Sequence, residues 1–182
     1  MCSKPLAGKV LTWGGALLLP CLVAASLQAR VLQTPEQALQ LAFPGCTLEQ
    51  RTLYLTAEQK SALKAQGFDS VPGLVTQYRV YRGEELVAFA YWDTHRVRTL
   101  PQTLLVILDP QGAVLRVELL AFAEPPDYLP REGWYRHMVG TSLQRPPKVG
   151  DTVPPVAGAT LTAHATTAAV RRILALHQVV AR

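Results

Sequence analysis

The stretch TLLVILDPQGAVLRVELLAF, residues 103–122, decides the fold. Two runs rich in branched aliphatic residues, 103–108 and 113–122, flank Asp109-Pro110-Gln111-Gly112. Proline fixes φ at such a turn, and glycine takes a positive φ without a Cβ clash, so these four residues read as a tight reversal. Toward the N-terminus the pattern repeats. Residues 74–81 and 86–92 are again β-branched and aromatic, and Arg82-Gly83-Glu84 separates them. Four strands joined by hairpins predict an antiparallel sheet.

The flanking segments carry helical signals. Thr34-Pro35-Glu36 supplies a hydroxyl cap, a proline at the first helical position and an acid, and Pro44-Gly45 ends that helix near Phe43. Thr56 and Gln59 have capping-box spacing and open a second helix that runs to about Gln66. Three prolines make residues 124–130 a stiff loop. A short helix is expected within 131–139, then a proline-rich connector over 145–156. The last helix begins near Thr162, where Ala169, Val170, Ile173, Leu174 and His177 recur at steps of three and four. Arg171, Arg172 and Gln178 are expected to face water. The fold class is therefore α+β, an antiparallel sheet of hairpins flanked by helices.

Residues 1–29 have the layout of an export leader. Two lysines precede a mostly apolar run over 10–25, and Ser26-Leu27-Gln28-Ala29 offers a cleavage site after Ala29. The alternative is an uncleaved N-terminal anchor. Either form places the remainder outside the cytoplasm, periplasmic or attached to the outer face of the cytoplasmic membrane. The division expected is a leader (1–29), an N-terminal helical segment (30–73) and a main domain (74–182). Two of the cations behind the formal charge of +5 lie in the leader. With no Lys/Arg-rich run and no aromatic-basic interleaving, no nucleic-acid partner is expected. Of three cysteines only Cys46 lies beyond the leader, and the four histidines are scattered, so neither an internal disulfide nor a metal site is expected.

The candidate chemistry sits at the start of the last helix, in VAGATLTAHATTAAVRRILAL, residues 156–176. The first amides of a helix lack intrahelical partners and carry partial positive charge. Gly158 and Ala159 keep bulk away from them, while Thr160 and Thr162 add hydroxyls. An anion, a phosphate in particular, is at home there. The competing reading is a plain helix cap.

AGATLTA followed by an alanine-rich amphipathic helix resembles the C-terminal signature of the FMN-binding domain family, which includes flavin-carrying subunits of sodium-pumping quinone reductase and its ferredoxin-linked relative. VILDPQGAVLRVELLAFAEPPDYLP resembles that family's hairpin and acid-centred loop. DTHRVRTLPQT resembles a segment of small exported members. The resemblance spans residues 74–177 in the family's order. It implies bound FMN, with Gly158, Ala159, Thr160, Leu161 and Thr162 at the phosphate. It also implies covalent attachment through a phosphoester to Thr160, installed by a flavin transferase, and matches Glu124 to the family's loop acid. Three positions depart from the pattern. Ala157 replaces a hydroxyl residue, Pro154 stands where an acid is usual, and Glu124-Pro125-Pro126-Asp127 lacks the loop glycine.

His95, Arg98 and Tyr128 complete the candidate set. A cation near the flavin pyrimidine would stabilise the charge that appears on reduction, and one near the phosphate would aid retention. Tyr128 and Trp134 are candidates to cover the ring, with core or loop anchoring as the bland alternative. His164 is expected near the phosphate and His177 in a structural role. The bland alternative for residues 93–98 is a solvated strand end, with Asp93 paired to Arg96 or Arg98. No residue is required as a general acid or base. The function expected is that of an exported FMN flavoprotein passing electrons between a membrane or periplasmic donor and acceptor. The alternative is a non-redox anion- or nucleotide-binding accessory module of the same fold.

Overall fold

The computed structural model describes residues 30–68, 72–131 and 133–181. The leader expectation lies outside these. A six-stranded antiparallel sheet runs in the order β1-β6-β5-β4-β3-β2. Its strands are β1 (Arg30–Val31), β2 (Thr47–Tyr54), β3 (Leu74–Arg82), β4 (Glu85–Arg96), β5 (Pro101–Leu108) and β6 (Val114–Phe122). Helix α1 (Pro35–Ala42) covers part of one face; α2 (Ala57–Ala65) and α3 (Thr160–Val180) pack on the other. The α+β expectation holds.

The hairpin at 109–112 forms as its chemistry requires. One Asp109 carboxylate oxygen accepts from the amides of Gln111 (3.0 Å) and Ala113 (2.8 Å), and Gly112 has φ +87°. A side chain at 112 would be doubly penalised, since its Cβ would stand 3.2 Å from His177. Both short helices carry complete capping boxes, Thr34 with Gln37 and Thr56 with Gln59.

Two strands escape the sequence reading. β2 lies inside the segment expected to be helical, and its eight residues are all half-exposed or exposed. An edge strand buried on neither face has no reason to alternate, so periodicity is silent there. β1 is two residues long and borrows its pairing from β6. Residues 30–73 thus contribute both edge strands to the same sheet as the rest. The short helix expected within 131–139 forms as a 3-10 helix, Trp134–Met138.

The 21-residue α3 lies across the sheet. Ala169, Val170, Ile173, Leu174 and His177 are all at most 6% exposed, so the expected stripe is the buried one. Ile173 and Leu174 meet Tyr91, Leu104, Val106 and Leu108 in the larger core. Each fully buried aliphatic side chain of this size contributes about 1.5–3 kcal/mol. A polar thread runs through this apolar layer. Gln77 donates to the Tyr91 hydroxyl (2.6 Å), which meets His177 Nδ1 at 2.9 Å. Burial holds the His177 pKa below its usual value, favouring the neutral ring. The structural role expected of His177 is the observed one.

Tyr91→Phe keeps the ring and removes the hydroxyl between two buried partners. A buried group left unpaired costs about 1–3 kcal/mol. The variant is expected to lose that much in a urea unfolding measurement, with an unchanged m-value.

Candidate functional site

Helix α3 differs from the other two at its start. Its N-cap is Ala159, no side chain caps its leading amides, and its first turn holds no acid. Gly158 precedes it with φ +81°, and the space where its Cβ would stand is open. Around this helix mouth lies a cavity of 150 Å³ lined by Arg98, Tyr128 and residues 158–162. Seven of the nine residues expected to bind cofactor therefore meet. They come from three stretches far apart in sequence, and each is brought in by an identifiable contact.

Glu124 positions the first stretch. After β4 the chain turns at 97–100, and the Val97 amide donates to the Leu100 carbonyl at 3.1 Å. The exposed backbone amides of this turn converge on Glu124, whose Oε1 accepts from Arg98 (3.0 Å), Thr99 (2.7 Å) and Leu100 (2.8 Å). The Leu100 amide foremost, then those of Thr99 and Arg98, hold the carboxyl below the usual carboxylate range, against the opposing effect of burial. Glu124 is 6% exposed and does not line the cavity. Its contacts make it a positioning residue that fixes the turn carrying Arg98.

The second and third stretches are tied by Thr162. Its hydroxyl donates to the Tyr128 carbonyl at 2.6 Å, and the residue is 1% exposed. That hydroxyl is committed to the protein rather than free for a ligand. The Arg98 guanidinium lies 4.6 Å from the centre of the Tyr128 ring, so the aromatic face steers the cation along the cavity wall. Thr160 is exposed, with its hydroxyl donating back to the Val156 carbonyl at 3.2 Å. Leu161, 54% exposed, projects beside it. Trp134 is buried, and its ring N–H donates to the Pro154 carbonyl (2.9 Å), anchoring the connector that leads into α3. It does not line the cavity, and His164 is exposed and outside it too.

His95 is the second candidate that the structure does not bring in. Its Nδ1 lies 2.8 Å from Asp93, and Arg172 grips the same carboxylate from α3 with contacts of 2.7–2.9 Å. Burial raises the Asp93 pKa, but the hydrogen bonds from His95 and Arg172 outweigh it and hold the group ionised. In place of Arg96 or Arg98 the partner is thus Arg172, which turns to the sheet rather than to water. The alternation of β4 explains this. Asp93 and His95 share the face under α3, and Arg96 points the other way. Arg172 was hidden because its partner lies 79 residues upstream.

The arrangement can do one thing well: hold an anion. Unsatisfied helix amides, a nearby guanidinium and an absence of bulk all favour negative charge. Among the described residues no group of three His, Cys, Asp or Glu is placed to bind a metal, and no helix is long and apolar enough to cross a membrane. No protein-family model matches the chain, and no curated protein matches it.

Because the folded-state pKa of Glu124 is depressed, its contribution is present above the ordinary value of 4.5 and is lost as pH falls through the lower folded value. Relative to their intrinsic exchange rates, the Thr99 and Leu100 amides are expected to stay protected at pH 5 and to lose protection only below 4.5. In Glu124→Gln, hydrogen exchange is expected to show reduced protection at every pH and no acid transition.

Proposed function

We propose that the protein is an exported flavoprotein that holds FMN by its phosphate at the start of α3 and carries electrons between membrane or periplasmic partners. The observation that supports this most is convergence. The three stretches that resemble the FMN-binding domain family supply Arg98, Tyr128 and residues 158–162, each about thirty positions from the next, to one cavity.

The residues fit an FMN phosphate. Gly158 leaves the helix amides accessible, Arg98 supplies a charge-assisted donor, and Thr160 presents an exposed hydroxyl beside them. A phosphate docked there would lie next to the hydroxyl that a flavin transferase must link. At 150 Å³ the cavity is about half the size of a small ligand pocket, so it suits the charged end of the cofactor. The isoalloxazine would then lie outside it, over Leu161, open to redox partners. FMN when bound supplies the one- and two-electron chemistry. The chain's own residues retain and orient it, and none is needed as acid or base. The small cavity also favours a second reading, a non-redox module that holds only a phosphate or nucleotide tail.

Visible absorbance separates the two. Protein isolated from the exported fraction of cells with a competent flavin transferase is expected to show oxidised-flavin bands near roughly 370 and 450 nm, bleached by dithionite. Colourless protein that ignores added FMN would sink the flavin reading and leave the anion module. Intact mass after denaturation tests the linkage: an FMN-sized adduct is expected in the parent and absent in Thr160→Ala. An unmodified parent mass would refute attachment while leaving non-covalent binding open to the spectrum.

Arg98→Ala removes the guanidinium and leaves the turn's backbone in place. Loss of one charge-assisted contact is expected to weaken FMN retention about tenfold, read by titrating the Thr160→Ala background so that linkage does not mask affinity.

A further inference from the structure

The sheet face opposite α3 is only half covered. α1 seals one part around Val80, Ala88 and Ile107. The other part lies open across all six strands. From one edge, Val31 pairs with Ala121, Ala121 with Thr103, and Thr103 with Thr94. Trp92 stands two residues along on the same face, and at the far edge Leu74 pairs with Tyr54. Val31 is 71% exposed, Trp92 45%, Leu74 47% and Tyr54 77%. Six strands make this belt about 24 Å wide at the usual strand spacing.

The chemistry of the belt is unusual for a surface that faces water. The solvated side of an antiparallel sheet is normally polar, whereas the groove running beneath Trp92, 370 Å³ in volume, sets Val31, Pro35, Leu120 and Ala121 among uncharged glutamine and threonine side chains, with Glu36 as its one charged lining residue. That carboxylate already accepts a hydrogen bond from the Tyr78 hydroxyl. The Thr94 and Thr103 hydroxyls bond each other at 2.9 Å, so removing their water costs little.

We propose that this belt rests on the surface of a phospholipid bilayer, with Trp92 and Tyr54 at the depth of the headgroups. Tryptophan and tyrosine combine an apolar ring with a polar tip and concentrate at that boundary. The way the chain enters the belt points to the same occupant. Residues 26–29 alone separate the apolar run 10–25 from β1, and four residues reach no more than ~14 Å. Where that run enters a bilayer as a retained anchor, Val31 and its belt are held against the lipid. Beyond residue 29 the net charge is +3, which favours an anionic surface. The docked face is the one opposite α3, which leaves the helix mouth turned away from the lipid. The proposal stands whether or not flavin is held there.

The test uses the full chain with Cys2, Cys21 and Cys46 replaced by serine, reconstituted into vesicles of phosphatidylethanolamine and phosphatidylglycerol. A fluorophore is attached through Tyr54→Cys, Leu74→Cys or, on the α3 side, Arg171→Cys, with circular dichroism matched to the parent. Headgroup-level nitroxide lipid is expected to quench positions 54 and 74 several-fold more than position 171. Equal quenching at the three positions overturns the proposal. So does quenching at 54 and 74 by a nitroxide-labelled second copy in lipid-free detergent, which would assign the face to self-association. Should the serine background fail to fold, brominated lipid and the unlabelled chain give the same reading. Part of the quenchable tryptophan emission should disappear in Trp92→Phe, and an undiminished signal overturns the docking. Flavin absorbance is recorded separately, so failure here is distinct from failure of the flavin reading.

Discussion

Everything at the helix mouth depends on how firmly α3 is held against the sheet. Its apolar stripe is buried over Tyr91, Leu104, Val106 and Leu108, and two polar ties fix what apolar packing leaves free to slide. Hydrophobic burial is non-directional and sets the layer but not the register. The contact of His177 with Tyr91 near one end and the bidentate grip of Arg172 on Asp93 midway along both require a particular register of helix on sheet. With those in place, the first turn of α3 has only one place to be. The Thr162 bond to the Tyr128 carbonyl closes the near end.

The capping pattern fits that division of labour. α1 and α2 are eight and nine residues long and each depends on a full capping box. Short helices are marginal on their own, so a satisfied terminus is a sizeable share of their stability. α3 is long and packed along its length, and it does without a side-chain cap. Stability drawn from the far end leaves the near end free for a ligand. Arg98 is arranged by the same economy of parts. It sits on an irregular turn whose shape is set by a single carboxylate receiving three amides, so an exposed cation is carried on a rigid base.

The two faces of the sheet differ in how they are covered. The face under α3 is filled and cross-tied, as a site needing fixed geometry demands. The opposite face is half open, and its groove carries Glu36 as its one charged lining residue. A sheet separates the two by one layer of backbone, so a surface can be engaged on one side without disturbing the other.

Much of this was legible in the sequence, and the limits have physical causes. The hairpins at 82–84 and 109–112, the caps at Thr34 and Thr56, and the buried stripe of α3 are local, and local chemistry is readable residue by residue. β2 was not legible, because an edge strand exposed on both faces has no pattern to read. At the site, the residue types and the helix mouth followed from composition and spacing around Gly158. The roles did not. Glu124 became a support for the 97–100 turn and the Thr162 hydroxyl a tie, because each found its mate across tens of residues, and His95 joined Asp93 in a cluster that Arg172 closes from 79 residues away. Sequence alone determined the locally coded elements, the hairpins, the capped helices and the terminal helix, and marked the start of that helix as a candidate place for an anion. Only the tertiary structure decided which side chains remain free to meet it, since hydrogen-bond partners are assigned by proximity in space.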